Sequence, residues 1–311
     1  MKLSELYAYR DNIEEYNVGA VRIVINHKLT AFEVLNRTHD VDPNTNNAVV
    51  ERLQDMLETL EEIESEVSIE IHEINRKIDK LSAVYLKDNM RIYKELILPA
   101  GIKSQRVNRV LEIYPSTRDE VKSRMGLYAN WKYPGLEIGP GDGIWTEHLV
   151  SHDPLYVVDL HTEFLESTKE KFSPEYQKRL RTYKTIGTDL SMLPQGQMAF
   201  VFSWNTFNFF PLEIIKEYLI SINKVLRPGG VVMFSYNNSE RPKQMIQCEN
   251  AFMCYTPKSL LIELVQTLGF EILNTFDRDS LTSWIEIKKA GELSTCRAAP
   301  ALGEIISSQT P

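Results

Sequence analysis

Three glycines alternate with other residues directly after a short apolar run, a spacing that is typical of a ligand-binding turn. Gly139, Gly141 and Gly143 follow a run that contains Glu137. Glycine lets the backbone approach a ligand closely, and a helix that begins after the turn directs free N–H groups at it. A pyrophosphate-binding turn has its third glycine one position later, where this chain has Ile144. The turn therefore favours a nucleotide-type ligand over a dinucleotide.

The motifs that follow the turn resemble, in their order, those of class I S-adenosylmethionine-dependent methyltransferases. The first motif of that family is an acid followed by Gly-x-Gly-x-Gly, which Glu137 and the three glycines match position for position. The next apolar run ends in Asp159, and the resemblance implies that this acid binds the ribose hydroxyls. A carboxylate has the right chemistry, because it accepts two hydroxyl hydrogen bonds at once. The resemblance covers roughly residues 131–289.

The same resemblance implies further contacts with S-adenosylmethionine, the expected cofactor. Asp189 and the backbone amide of Leu190 are expected at the adenine, and Ser203 and Trp204 beside the methionine moiety. Ala199 departs from the family, which commonly has Asp near the start of the fourth strand. The predicted cofactor-binding residues are Glu137, Gly139, Pro140, Gly141, Asp142, Gly143, Asp159, Leu160, Asp189, Leu190, Ser203 and Trp204.

The acceptor side of the site is less defined by its residue types. In-line displacement needs an acceptor atom about 3 Å from the methyl carbon, and carboxylate, thiolate or neutral amine acceptors need no strong base. The catalytic residue is left open, with weak candidates at the ends of strands four and five, namely Asn205, Asn208, Tyr236 and Glu240. No Asn/Asp-Pro-Pro-Tyr/Phe or Pro-Cys sequence follows strand four, which disfavours nucleic acid as the acceptor.

Several of these residues also have a plain structural interpretation. Glu137 and Asp159 are residue types that cap helices or form ion pairs, and the ring of Trp204 fits a core as well as a pocket. His148 and His152 have the four-residue spacing of a metal-ligand pair. Because no third ligand accompanies them, we expect two histidines on a helix surface and no metal.

The pattern from Gly135 onward predicts an α/β domain. Short β-branched runs alternate with amphipathic stretches, which indicates a mainly parallel sheet covered on both faces. Together with the resemblance, this predicts a Rossmann-like, doubly wound, seven-stranded sheet with a helix from Thr146. The predicted strands are Leu136–Ile138, Leu155–Asp159, Thr182–Ile186, Ala199–Ser203, Val231–Tyr236, Phe270–Phe276 and Trp284–Lys288. The predicted domains are a helical or coiled-coil region over 1–98, a helical linker over 99–134, the methyltransferase-like domain over 135–289 and a tail over 290–311.

The first hundred residues predict a long helix with a narrow apolar seam. Asp42 and Pro43 restrict entry to this helix, and neither Pro nor Gly interrupts residues 44–98. The seven-residue repeat places Leu53, Leu60, Val67, Ile74 and Leu81 at d and Leu57, Glu64, Ile71, Ile78 and Tyr85 at a. Such a seam needs a partner helix, either the helix before Asp42 or a second copy of the chain. We favour self-association into a homo-oligomer.

The charge of this 311-residue chain is unevenly distributed. Of the net −8, residues 1–100 supply −7, from 12 basic and 19 acidic residues. This distribution disfavours a broad nucleic-acid or anionic-membrane surface. Three cysteines without a Cys-x-x-Cys pair favour a reducing compartment. No 18 uninterrupted apolar residues occur, so we expect a cytoplasmic protein without a membrane segment.

Three hypotheses of function remain. The leading one is an S-adenosylmethionine-dependent methyltransferase that acts on a small-molecule or protein acceptor. The alternative is a structural or scaffold oligomer whose methyltransferase-like domain has weak or no activity. The third is an oxidoreductase that uses NAD, which the glycine spacing disfavours.

Overall fold

The computed structural model describes residues 2–14, 18–38, 43–98, 115–277 and 282–291. The chain divides into two compact units, Met1–Tyr85 and Leu86–Pro311. Residues 99–114 of the predicted linker and 292–311 of the predicted tail lie outside the described residues. The predicted domain boundaries therefore stay predictions.

The first unit consists of helices in its described part. Helix α1 spans Leu3–Glu14, α2 spans Val18–Thr38 and α3 spans Pro43–Ile92. Helix α3 begins at the proline that the sequence indicates, because proline at the first helical position loses no helical hydrogen bond. The long helix is thus confirmed, at 50 residues.

Helices α1 and α2 contact α3 within one chain. The Arg22 guanidinium pairs with Glu61 and Glu64 at 2.8 and 2.9 Å, and the Tyr9 hydroxyl donates to the Glu70 carboxylate at 2.6 Å. These contacts run antiparallel along α3, so the chain forms the hairpin that we considered the less favoured packing. They also explain Glu64, whose charge at a seam position is paired with Arg22. Self-association is a separate question and stays a prediction.

The second unit contains the seven-stranded sheet, in the order β3-β2-β1-β4-β5-β7-β6. Strands β1 to β5 pair in parallel and β7 runs antiparallel between β5 and β6. The predicted Rossmann-like fold class is therefore confirmed. The strands are β1 Gly135–Ile138, β2 Leu155–Asp159, β3 Leu180–Lys184, β4 Met198–Ser203, β5 Leu226–Tyr236, β6 Phe270–Phe276 and β7 Ser283–Lys289.

Helices cover both faces of this sheet. Alternate strand residues enter two separate buried clusters, one on each face, as a doubly wound sheet requires. The helices are α4 Pro115–Leu127, α5 Thr162–Glu170, α6 Pro174–Gln177, α7 Leu212–Val225, α8 Pro242–Glu249 and α9 Lys258–Thr267. In the part of the chain that the structure describes, no helix is long and apolar enough to cross a membrane.

Three elements differ from the sequence prediction. Strand β3 begins two residues earlier than expected. Strand β5 begins at Leu226, which pairs with Met198 before a shift of register. The helix predicted from Thr146 is wrong, since only a short 3₁₀ turn, Thr146–Leu149, follows the glycines. Thr146 and Leu149 are both buried there, so packing rather than helix propensity decides this segment.

Two polar contacts attach helices to the rest of the second unit. The Asn89 amide donates to Tyr255 O at 2.8 Å and accepts from Tyr255 N at 2.9 Å, just before a π-helical turn at Tyr93–Ile97. On α4, the Arg124 guanidinium makes two hydrogen bonds to the buried carboxylate of Glu286 on β7.

Candidate functional site

The carboxyl ends of β1, β2 and β4 lie side by side in the sheet. Strand β1 pairs with β2 on one side and with β4 on the other, so the chain reverses its direction of winding here. Ligands of open α/β sheets bind at such a switch point, outside the carboxyl ends of the strands. The sequence motifs therefore meet where the fold places a binding crevice.

The turn after β1 needs its glycines. Gly139, Gly141 and Gly143 have φ of +70°, +57° and +75°, a region that other residues rarely adopt. A Cβ on Gly139 would lie 2.1 Å from Oγ1 of Thr206, in the loop after β4. The turn thus packs directly against the loop after β4, and no sequence motif marks Thr206.

The Glu137 side chain lies in the interior beneath this turn. It is 2% exposed, and its carboxylate accepts a hydrogen bond from the Thr146 hydroxyl at 2.5 Å. Burial raises the pKa of Glu137 to about 8, the Thr146 hydrogen bond opposes that rise, and the charge of Asp159 adds to it. In the protein without a ligand, the hydrogen bond from Thr146 therefore offsets only part of the cost of burying a negative charge on Glu137.

Asp159 ends β2 at the same edge of the sheet. Its Oδ1 accepts from the backbone N–H of His161 at 2.8 Å. Burial raises the pKa of Asp159 to about 6, although backbone hydrogen bonds from His161 and Leu160 oppose the shift. The half-buried Leu160 follows it directly. Burial thus raises the pKa of both of these neighbouring carboxyl groups, Asp159 and Glu137.

Asp189 has local partners for both carboxylate oxygens. Ser191 donates to them from its backbone N–H at 2.8 Å and its hydroxyl at 3.0 Å, and the backbone hydrogen bond chiefly lowers the pKa of Asp189. Leu190 is buried. Nearby, Ile186 follows β3 with 90% of its side chain exposed. Ile186 is an apolar residue that the sequence reasoning did not single out.

The end of β4 brings Ser203 and Trp204 to the crevice. The Ser203 hydroxyl donates to Ile138 O at 2.8 Å and joins β4 to β1. The Trp204 ring is half-buried and meets Trp145 edge to face, with centroids 5.8 Å apart. Asn205 follows with φ of +54°, and its N–H donates to Ser235 Oγ at 2.6 Å.

Two of the four acceptor-side candidates, Asn208 and Glu240, have side chains that are hydrogen-bonded within the fold. Asn208 accepts from Ser235 Oγ and donates to Thr282 Oγ1, both at 2.9 Å. Glu240 accepts from the N–H of Ser259 at 3.1 Å, at the start of α9. Tyr236 is fully buried, and burial raises the pKa of its hydroxyl. The fourth candidate, Asn205, follows β4 and is also buried.

The two histidines do not share a helix surface, so that expectation is wrong. His148 belongs to the 3₁₀ turn. His152 is buried and stacks on Phe200 with centroids 5.5 Å apart, and burial lowers the pKa of His152 to about 4. The described residues contain no group of three or more side chains suited to hold a metal ion.

Residues 136–230 match the family model described as a methyltransferase domain. A comparison with curated proteins finds no match.

Solved structures with a similar fold include S-adenosylmethionine-dependent methyltransferases. One from Aquifex aeolicus is 13% identical with a TM-score of 0.43, over 57% of this chain and 99% of that one. One from Mesorhizobium loti is 12% identical with a TM-score of 0.44, over 55% and 96%. A geranyl diphosphate C-methyltransferase from Streptomyces coelicolor is 8% identical with a TM-score of 0.47, over 56% and 81%.

The family match lies on the part of the sheet that builds the crevice, from β1 into the start of β5. Residues 136–230 of this chain are therefore similar to a methyltransferase domain, in keeping with the resemblance of its motifs.

Proposed function

We propose that this protein transfers a methyl group from S-adenosylmethionine to a small-molecule or protein acceptor by in-line displacement. The observation that carries the proposal is the pair of buried, poorly compensated carboxyl groups, Glu137 and Asp159, beside a turn with three left-handed glycines. Such a site suits a ligand that brings positive charge together with hydroxyl donors. S-adenosylmethionine has a sulfonium, an ammonium and a ribose, so the residues present fit it.

The residues of the chain have distinct roles in this proposal. Asp159 accepts hydrogen bonds from the ribose hydroxyls, and Glu137 stabilises positive charge from below the turn. Ile186 offers the adenine an apolar surface beside Leu160, while Asp189 and Leu190 form the turn that bounds it. Trp204 and Ser203 border the methionine end. When bound, the cofactor supplies an electrophilic methyl group, and the protein contributes position and exclusion of water.

The proposed acceptor is one that needs little help from a base. Asn208 and Glu240 are hydrogen-bonded within the fold and Tyr236 is fully buried, so positioning by the crevice carries the reaction. This suits a carboxylate, thiolate or neutral amine. Nucleic acid is a poor candidate because the sequence lacks both nucleobase motifs and a basic surface. The cysteines Cys248 and Cys254 are free, in keeping with the proposed cytoplasmic location.

The proposal is tested by calorimetry with S-adenosylmethionine and S-adenosylhomocysteine. We expect Asp159→Asn to weaken binding about tenfold to a hundredfold, because a hydrogen-bonded charge to the ribose is lost. Asp153→Asn is the matched control, since Asp153 precedes the opposite end of β2 and pairs with Arg179 at 3.0 Å. Equal affinities in the two variants, or no binding at high micromolar ligand, would contradict the proposal. NADH is the control ligand and is expected not to bind.

The scaffold hypothesis is retained as a second candidate, because the hydrogen bonds of Asn208 and Glu240 and the burial of Tyr236 leave no evident base. A tritium-transfer screen across acceptor classes separates the two. Transfer to any acceptor supports the enzyme, whereas cofactor binding without transfer in every class supports the scaffold.

A further inference from the structure

Helix α3 carries an exposed apolar flank in the first unit. Met56, Ile63 and Val84 are 47%, 41% and 57% exposed. They recur at multiples of seven residues and therefore lie in one row along the helix. Leu81, which belongs to the adjacent row of the seam, is also exposed. We call the row that runs from Met56 to Val84, together with Leu81, the open flank.

Helix α2 lies on the other side of the seam. Its Arg22 reaches Glu61 and Glu64, of which Glu64 occupies a seam position and Glu61 flanks the seam on the side away from the row of Ile63. Within the described residues, the hairpin touches the open flank at Glu70, through the Tyr9 hydroxyl, and leaves Met56, Ile63 and Val84 exposed. Large apolar side chains that recur along a helix in solvent are typical of an interaction site.

The charge along α3 is segregated. From Glu51 to Glu73 there are nine acidic residues and one basic residue, Arg52. From Ile74 to Tyr85 there are three basic residues and one acidic residue, Asp79. A second α3 that ran parallel would place acidic half against acidic half. An antiparallel α3 would place each acidic half against a basic one.

We propose that two copies of the chain pair through their open flanks with α3 antiparallel to α3, about a twofold axis between Glu73 and Ile74. Such an axis sets each row against the same row of the second copy. Ile63 then lies against Val84 of the second copy, and Glu70 against Lys77. Each pair occurs twice, over about 31 Å of helix.

A parallel pair gives no such match. A parallel twofold pair through the open flanks would set each residue of the row against the same residue of the second copy. Ile63 would then meet Ile63, Glu70 would meet Glu70 and Lys77 would meet Lys77. Because like charges repel, the charged side chains of the flank favour the antiparallel arrangement.

The charge pair is tested by measuring the mass and dimer dissociation constant of the full chain by light scattering and sedimentation. The expected mass is twice the 35.9 kDa of one chain. We expect Lys77→Glu or Glu70→Lys to raise the dissociation constant about tenfold, and the double exchange to restore it. Arg76→Glu, on the outer face of the same turn, is the matched control and is expected to have no effect.

Two further variants complete the charge test. Tyr9→Phe removes the hydroxyl that donates to Glu70 and shows whether a change at Glu70 acts through the hairpin. Circular dichroism verifies that each variant keeps its helix content. A monomer at high micromolar concentration, or a double exchange that fails to restore the dimer, overturns the proposal. A monomer would leave the open flank to a different protein.

Cysteine cross-linking tests the orientation. In a Cys296→Ser background, the double variant Ile63→Cys/Val84→Cys is expected to oxidise to a covalent dimer, because each cysteine faces its complement. Within one chain the two positions are about 31 Å apart along the helix and cannot bond. Each single variant is expected to stay uncross-linked. A covalent dimer of Ile63→Cys alone indicates parallel helices and overturns the proposal.

Discussion

The chemistry of a carboxyl group in this protein is set by its surroundings. Asp189 is exposed and receives two hydrogen bonds from Ser191, so its pKa falls. Glu137 is buried with one hydroxyl donor, so its pKa rises to about 8. The sequence shows both as acids at the ends of strands. Burial distinguishes the two, because Asp189 is an exposed turn residue whereas Glu137 is a buried acid with a raised pKa.

The raised pKa of Glu137 predicts a pH dependence of stability. Because the folded-state pKa lies above that of the unfolded chain, the protonated group favours folding below about pH 4.5, and this contribution is lost as the pH rises through about 8. We expect Tm of the ligand-free protein to fall between pH 5 and 8. The share of this fall in Tm that Glu137 causes, of the order of 5–10 °C, should be absent from the variant Glu137→Gln. Scanning calorimetry measures it, and an unchanged slope in the variant would argue against a buried, neutral Glu137.

Gly139 provides a second test at the same scale. Gly139→Ala places a Cβ against Thr206 at a positive φ, so we expect a loss of about 3 kcal/mol in the free energy of unfolding. Gly187→Ala is the matched control, because Gly187 has a similar φ of +74° with nothing within 4 Å and should lose about 1 kcal/mol. Urea unfolding measures both. Adding Thr206→Ala should recover part of the difference, and equal losses in the two alanine variants would contradict the close approach.

At the scale of elements, local patterns predicted most strands and one boundary of the long helix. Alternating apolar runs identified all seven strands because each strand is continuous in sequence. The failures have a different origin. The 3₁₀ turn at Thr146–Leu149 depends on burial against the sheet, and the pairing of Arg22 with Glu64 joins residues 42 positions apart. Neither the burial nor the partner is visible in a local pattern.

The attachment of α4 to the sheet gives a prediction at this scale. Glu286 is fully buried and Arg124 is its charged partner, so Arg124→Met leaves a buried charge unpaired. We expect a loss of about 3 kcal/mol in the free energy of unfolding, measured by urea titration. Arg179→Met is the control, since its pair with Asp153 is exposed on both sides and should lose less than about 1 kcal/mol. A loss in Arg124→Met no larger than in the control would contradict a buried pair.

For the whole molecule, composition alone is a poor guide to the site. The net charge of −8 belongs almost entirely to the first hundred residues, whereas the crevice contains two acids that burial holds back from ionisation. Of the candidate site, the sequence predicted Glu137, Asp159 and the glycine turn, because each of them belongs to a contiguous motif. Thr206, whose side chain meets the turn at Gly139, lies in the loop after β4 and carries no motif.

The contact between Asn89 and Tyr255 joins the end of α3 to the segment before α9 in the second unit. A primary amide is the side-chain group that offers a donor and an acceptor together as a peptide does. The side chain of Asn89 therefore bonds both the backbone N–H and the backbone C=O of Tyr255, as the backbone of a neighbouring strand would. Both backbone polar groups of Tyr255 thus have as partner a side chain that lies 166 residues earlier in the chain. The last turns of α3 thus contribute to the order of the segment before α9.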